Sequence, residues 1–418
     1  MERSYLQQLF GHKWYPIFIC CLVGLLPIYD FFIQVAPGVM VDGLMSDFHR
    51  DASSIGVLGA VFYLSYAVCQ PPSGFLIDQF GIKSVLVVYT FITALSAIIF
   101  SNTHSFYVIV FMRLLAGFGV CIAFIGAYYI AAKLLPHKYF SLVAALLHLA
   151  GAMGGMIAQA PLAFMVGSYG WRTSMWLCGL LGLMISLIFI FTINIPQEKN
   201  NQTTRSKGSF YRSLSSCLKN PQVIWIALCS FLGWLPMTVI GAMWGIPYLS
   251  KVYNWPAVQI SSLCTFFWIG SAIGGLILSW GSERYQCRKP PLVYSFLIAF
   301  ISGVIFLNAD KVPVWLVAAS LFMLGITVCI QTMSFVLIKE TVERSNFALA
   351  SGINNFVSMM SGALGQHLVG ALLVYQSPDS TSYTAQHFQH ALYMVPLGSL
   401  FGFIICRTFL KETYRKNC

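Results

Sequence analysis

The sequence predicts an all-α membrane protein with twelve transmembrane helices, because its composition is strongly apolar and its apolar residues fall in long runs. Apolar residues make up 58% of the 418 residues and charged residues only 9%, whereas a soluble domain has about 25% charged residues. A bilayer-spanning helix needs about 20 mostly apolar residues, and only helical backbone satisfies its own polar groups in lipid. Scanning on this basis gives twelve candidate spans, numbered in chain order: 15–41, 53–77, 82–101, 105–132, 138–167, 173–193, 222–249, 257–280, 290–307, 313–338, 346–374 and 388–409.

Lysine and arginine are distributed unevenly between the loops on the two sides of these spans. With the N-terminus placed inside, nineteen of the 24 Lys and Arg residues fall on the inner side. Arg113 lies within span 4, and four lie on the outer side: Arg50, Arg172, Lys251 and Lys311. Cytoplasmic loops carry such an excess, so we expect both termini in the cytoplasm and the protein in a bacterial inner membrane. The net charge of +11 therefore indicates topology within a lipid bilayer and no nucleic-acid partner.

The N-terminus and the cysteines exclude two other classes of protein. The polar start, Met1 to Lys13, resembles a signal peptide, but the following apolar run exceeds the roughly 7–15 residues of a signal core, which predicts an uncleaved first span. The twelve cysteines are scattered without C-x-x-C spacing, and none falls in a predicted outer loop. We therefore expect no disulfide, no metal site and no cofactor.

The longest polar stretch, Asn194 to Asn220, divides the spans six and six. Two six-helix halves joined by a charged inner loop are typical of secondary transporters built from repeats. The predicted N-terminal half, cytoplasmic linker and C-terminal half are, in that order, 1–193, 194–220 and 221–418.

Short motifs between and within the spans are the most specific part of the sequence. After span 2 the chain reads Gly74-Phe-Leu-Ile-Asp78-Gln-Phe-Gly81-Ile-Lys83, where glycines would let two helix ends approach closely. A degenerate copy, ending in Glu283-Arg284, follows span 8, and span 4 contains Arg113-Leu-Leu-Ala-Gly117-Phe-Gly119. This Gly-x-x-x-Asp-x-x-Gly-x-Lys turn between two spans resembles the loop 2–3 signature of the major facilitator superfamily, and the chain most resembles its carriers of small organic solutes, including the lysosomal dipeptide carrier branch.

The resemblance implies the major facilitator fold, in which the two six-helix halves rock about a central site. It also implies that residues on the cytoplasmic side hold the halves together during the cycle. The residues expected in this gating role are Gly74, Asp78, Gly81, Lys83, Glu283 and Arg284.

Two full charges lie inside the apolar spans, where each is costly unless paired or solvated. Asp30 is about halfway along span 1, and Arg113 is roughly 12 Å deep in span 4 at 1.5 Å per residue. As the resemblance implies, both spans line the cavity of the N-terminal half. For Arg113 we favour a tie to backbone carbonyls of span 1 over a contact with Asp30 or the substrate. For Asp30 we favour proton or substrate handling over a structural role.

Polar and aromatic side chains at a similar depth complete the predicted substrate and proton site. Tyr63, Tyr66 and Gln70 follow an i, i+3, i+7 spacing and share one face of span 2. The other candidates are Gln34, Trp234, Trp268, Asn354 and Asn355, with Gln331 and His148 nearby. Helix packing is the alternative role for the aromatics and His148, and helix–helix hydrogen bonding is the alternative for the two asparagines.

These features together predict a secondary transporter of a small organic solute that works by alternating access. Proton coupling and facilitated exchange remain alternatives, as does a dipeptide or amino-acid uniporter. A run of the G-x-x-x-x-G-K-[ST] type is absent, so ATP is not expected to drive transport. A membrane enzyme or a non-transporting receptor or scaffold are the rival classes. We expect a monomer whose partners are the solute, protons and the lipid bilayer.

Overall fold

The computed structural model describes residues 11–136, 139–195, 207–343, 346–377 and 382–414, and every regular element in these ranges is helical. Eleven helical segments are long and apolar enough to cross a membrane. One of them, Leu142–Thr192, has 51 residues and is interrupted at Gly170, whose φ is 79°. That segment therefore contains predicted spans 5 and 6, so the prediction of twelve spans is confirmed.

The helices of the first six spans follow one another with short connections. Their bounds are Gly11–Val23, Leu25–Val35 and Pro37–Phe48 for span 1, Ala52–Phe80 for span 2, Ile82–Asn102 for span 3, Phe106–Val120 and Ala123–Leu134 for span 4, and Phe140–Ile157 and Ala160–Thr192 for spans 5 and 6.

The last six spans follow a surface helix, Lys207–Lys219. Their bounds are Pro221–Pro236, Met237–Trp244 and Gly245–Tyr253 for span 7, Ala257–Tyr285 for span 8, Lys289–Leu307 for span 9, Val314–Thr327 and Ile330–Thr341 for span 10, Phe347–Gln376 for span 11, and Ala385–Leu392 and Met394–Thr408 for span 12. The predicted linker includes residues 196–206, which lie outside the described residues, and the boundaries of the two halves stay a prediction.

Several spans are interrupted, and the interruptions follow the predicted repeat. Spans 1 and 4 are broken in the first half, and their counterparts six places later, spans 7 and 10, are broken in the second. Proline explains two of these breaks, because Pro37 and Pro236 cannot donate a helical hydrogen bond. After Pro236, span 7 widens into a π-helix, Met237–Trp244.

Glycines bring the two halves into close contact toward one end of the molecule. A Cβ added at Gly370 of span 11 would lie 2.4 Å from the Ala52 carbonyl oxygen of span 2. A Cβ added at Gly38 of span 1 would lie 2.6 Å from the Ala242 carbonyl oxygen of span 7. These contacts are at the end of the spans that we predict to face outward, so the halves are closed there.

The motif after span 2 differs from the predicted turn. The span 2 helix continues to Phe80, so Gly74 and Asp78 lie in its last two turns, and the chain reverses at Gly81, whose φ is 81°. A Cβ at Gly74 would meet no atom within 4 Å. The expectation that Gly74 lets helix ends approach closely is therefore wrong, because the helix ends one and a half turns later.

One expectation about the cysteines is also wrong. Ten cysteines of the described residues are free, but Cys287, between spans 8 and 9, is disulfide-bonded. Its partner lies outside the described residues. Loop position in the sequence could not reveal this pairing, because chain proximity is set by the fold.

Candidate functional site

Arg113 is buried and bound to the backbone of two neighbouring spans. Its Nη1 donates to the Ile33 carbonyl at 2.9 Å and its Nε to the Leu58 carbonyl at 3.4 Å, and its guanidinium lies 4.3 Å from the centre of the Phe62 ring. The Ile33 carbonyl is available because the residue four places on, Pro37, has no N–H. Arg113 therefore connects span 4 with spans 1 and 2.

Asp30 is buried, with 1% of its surface exposed. The Tyr66 hydroxyl lies within hydrogen-bonding reach of its carboxylate, while Oδ1 has no hydrogen-bond partner among the described residues. The structure records no ion pair between Asp30 and Arg113 in the described chain; Tyr63 lies close enough to feel both charges. The predicted polar group of spans 1, 2 and 4 is thus brought together, with Asp30 only partly satisfied.

Gln34 and Trp268 lie where the first half meets the second. Phe31, three residues before Gln34 on span 1, packs edge-on against Trp268 of span 8 with ring centroids 5.7 Å apart. A Cβ at Gly155 of span 5 would lie 2.2 Å from the Trp268 ring. Both predicted residues are buried, and Gln34 Oε1 and Trp268 Nε1 have no partner among the described residues.

The π-helix of span 7 is bound by two glutamines that the sequence did not single out. Gln159, between spans 1 and 7 in space, donates its Nε2 to the Gly241 carbonyl at 3.2 Å. Gln366 of span 11 donates to the Thr238 carbonyl at 2.6 Å, and Trp244 Nε1 donates to the Gln366 carbonyl at 3.1 Å. Gln159 stands two residues before Pro161 in an apolar run, and a lone amide in such a run was the available signal.

Asn354 and Asn355 point to different partners. Asn355 donates to Gln70 of span 2 and accepts from Gln331 of span 10 at 3.2 Å, so it joins the two halves. Asn354 donates to the Ser334 hydroxyl at 2.7 Å, inside the second half. The two adjacent amides therefore do not form a single subsite in this conformation.

Two further candidates lie apart from Asp30. Trp234 is buried in span 7, and its Nε1 has no hydrogen-bond partner in the described part of the chain. His148 of span 5 packs on span 8, where it bonds the Ser271 backbone and lies 3.8 Å from a Cβ added at Gly275. His148 thus contacts the second half, and its packing role is the one that these contacts describe.

The predicted gating residues separate into two groups. On the first half, Asp78 is exposed and Lys83 is half-buried. On the second half, Glu283 accepts from Arg288 at 2.8 Å, whereas Arg284 is exposed. The neighbouring Arg288, which the sequence did not single out, is the centre of this second group.

Arg288 holds together the predicted cytoplasmic side of the second half. Its Nη2 also lies 3.0 Å from Glu340 of span 10, and Glu412 accepts from the backbone N–H groups of Arg288 and Lys289 at 2.9 Å each. Partial burial acts to lower the pKa of Arg288, but Glu340 and Glu283 outweigh it and raise that pKa. Burial acts to raise the pKa of Glu412, and its backbone hydrogen bonds lower it overall.

Twelve apolar spans in two halves, with polar groups buried at mid-depth between them, define a polytopic membrane carrier. The family model of the Major Facilitator Superfamily matches residues 20–365 and 226–417. The chain belongs to this superfamily.

Similar proteins agree with that membership. A probable galactarate/D-glucarate transporter of Bacillus subtilis (strain 168) is 20% identical over 404 residues, which cover 86% of each chain. A solved bacterial homologue of the human lysosomal transporter spinster, inward-facing and unoccupied, covers 95% of this chain and 98% of its own with a TM-score of 0.74 at 14% identity. A solved D-xylose-proton symporter covers 97% and 100%, with a TM-score of 0.75 at 14% identity.

The chain is therefore a multi-pass integral membrane protein and a secondary transporter of a small organic solute, and it is not an enzyme. The major facilitator fold predicted from the sequence is confirmed. The roles of the individual residues stay predictions.

Proposed function

We propose that this carrier couples solute movement to protons and that Asp30 is the group that takes up and releases the proton. The observation that supports this proposal is the half-satisfied carboxylate in the middle of span 1: Oδ1 is buried without a partner, and the Tyr66 hydroxyl is the neighbour of the carboxylate. An ionised carboxylate out of water without full hydrogen bonding is costly. Protonation removes that cost, and contact with water on one side restores the charge.

The environment of Arg113 supports the same assignment. A cation free to turn toward Asp30 would neutralise it permanently, but the Arg113 guanidinium is bound to the Ile33 and Leu58 carbonyls. Asp30 therefore depends on a proton or on a change of conformation for its charge balance. The D-xylose-proton symporter of similar fold moves protons with its sugar, which is consistent with this mechanism on the same fold.

Replacing Asp30 by Asn tests the proposal, because the amide resembles a permanently protonated carboxylate. In proteoliposomes supplied with labelled D-xylose, D-glucarate, uridine and alanine, Asp30→Asn should abolish accumulation driven by a pH gradient and retain solute exchange. Asp42→Asn is the matched control, since Asp42 is an exposed aspartate at the far end of the same span. Accumulation by Asp30→Asn equal to that of the unaltered protein would overturn the proposal.

We also propose that both termini face the cytoplasm of a bacterial inner membrane and that the carrier works as a monomer. The excess of Lys and Arg on one side supports this orientation, and the contacts near Gly38 and Gly370 then make this conformation closed outside and open inside. Asp78, Lys83 and Glu283 would act on the inner side. A reporter fused after Cys418 that is active only outside the cytoplasm should stay silent; activity there would reverse the orientation.

A further inference from the structure

The buried charges of the spans limit the kind of solute that the proposed carrier can hold. Among the described residues, Asp30 and Arg113 are the charged side chains buried within the spans. They balance when Asp30 is ionised and leave one positive charge when it is protonated. The next cation on span 4, Lys133, is about 30 Å further along the helix at 1.5 Å per residue. A dianion at this depth would therefore keep uncompensated negative charge in a low-dielectric region.

Four neutral polar groups next to these charges lack partners. Trp268 Nε1 and the Tyr63 hydroxyl are donors, and Gln34 Oε1 and Gln159 Oε1 are acceptors. The four side chains are at most 4% exposed, and none of these atoms has a hydrogen-bond partner among the described residues. Buried polar groups are normally paired, so such a concentration indicates a place where a partner binds.

The four groups form one continuous region between the halves. Gln34 lies one helical turn after Asp30, whose charge acts on Tyr63, and it shares a face of span 1 with Phe31. Phe31 packs on Trp268, and Trp268 packs on Gly155, one turn before Gln159. Because Trp268 and Gly155 belong to different halves, movement of the halves apart uncovers these atoms.

We propose that the solute is an uncharged polyhydroxylated molecule of about monosaccharide size. This rests on the proposed function. Hydroxyl groups both donate and accept, so one molecule of this kind pairs with Trp268 and Tyr63 as acceptor and with Gln34 and Gln159 as donor. The rings of Phe31 and Trp268 provide an apolar face for its C–H groups. The proposal separates this chain from the galactarate/D-glucarate transporter that it resembles, since those sugar acids are dianions.

The test measures binding by the purified full-length protein. We expect one or more of D-xylose, D-glucose, D-galactose and myo-inositol to raise the thermal unfolding temperature and to exchange in proteoliposomes, and galactarate and D-glucarate to do neither. Trp268→Phe and Tyr63→Phe each remove one donor and should weaken the affinity for that sugar about 10-fold. Tyr29→Phe is the control, because the Tyr29 hydroxyl is already bonded to the Cys178 carbonyl in the first half.

Three outcomes would overturn the proposal: stabilisation by galactarate or D-glucarate, no binding of any uncharged compound of the panel, or equal sugar affinity in Trp268→Phe and Tyr63→Phe. If either variant fails to fold, Gln34→Leu removes an acceptor and gives the same readout. Sugar binding and exchange that are indifferent to a pH gradient would instead overturn proton coupling and leave the assignment of the solute standing.

Discussion

The two buried charges of the spans differ in how their hydrogen bonds are supplied. An arginine side chain carries five N–H donors, and Pro37 leaves the Ile33 carbonyl without a helical partner for one of them. A carboxylate needs donors, and helix backbone N–H groups are already used within the helix. Asp30 is therefore left with Tyr66 and an unpaired Oδ1, which makes it sensitive to its surroundings while Arg113 is fixed.

Replacing Arg113 by Ala should destabilise the protein. The change leaves the buried Ile33 carbonyl without a donor, which costs about 1–3 kcal/mol, and it also removes the packing on Phe62. Thermal unfolding of the purified protein in detergent is the measurement. Arg284→Ala is the control, because Arg284 is exposed at the end of span 8, and it should unfold at the temperature of the parent protein. Equal stability of the two variants would show that the Ile33 carbonyl is satisfied in another way.

At the scale of the helices, glycine and proline decide where a span ends or breaks, but the same residue type has different consequences at different places. Gly81 has φ 81° and ψ 147° and closes span 2 through its N–H to the Ile77 carbonyl at 2.9 Å. Gly74, seven residues earlier, is an ordinary helical residue with open space around it. Their common presence in one motif therefore does not imply a common role.

Alanine at these two glycines should separate a conformational role from a sequence pattern. Gly81→Ala forces a side chain into a backbone region that is essentially restricted to glycine, at a cost of about 1–3 kcal/mol. Gly74→Ala should be neutral or stabilising by about 0.5–1 kcal/mol, since alanine favours helix. Thermal unfolding and transport of both variants measure this difference. A Gly81→Ala protein as stable as Gly74→Ala would contradict the role of Gly81.

At the scale of the whole molecule, small residues set how closely the halves approach. Spans 2 and 11 meet at Gly370 and Ala52, and spans 1 and 7 meet at Gly38 and Ala242. No side chain larger than hydrogen fits at these glycines without movement of backbone. The closed end of this conformation thus depends on backbone contact, and a larger residue there should favour the opposite conformation.

Gly370→Leu should shift the carrier toward the conformation that is open at the predicted outer end. The measurement is the distance between spin labels placed at Thr103 and Asn254, in the predicted outer loops of the two halves, which should lengthen by several ångströms. Gly352→Leu on the same span is the matched control, since a Cβ there meets no atom within 4 Å. A distance distribution unchanged by Gly370→Leu would show that closure does not depend on this contact.

Much of the site could be anticipated from single residues. A charge in an apolar run stands out, so Asp30 and Arg113 were candidates, and the spacing of Tyr63, Tyr66 and Gln70 placed them on one helix face. The partners could not be anticipated, because Ile33, Leu58 and Gln159 reach their contacts only through helix packing. The separation of Asn354 from Asn355 follows from the roughly 100° between successive residues of a helix, which directs neighbours to different spans.

The sequence by itself determined the class of protein, because bilayer thickness and backbone hydrogen bonding leave a long apolar run with one solution, a spanning helix. It also determined the number of spans and the family, through local motifs. Only the tertiary structure decided that Arg113 is bound to backbone, that Gly74 lies within a helix and that Gln159 and Gln366 bind the π-helix of span 7. These depend on which helix faces meet, and that is fixed by packing between residues far apart in the chain.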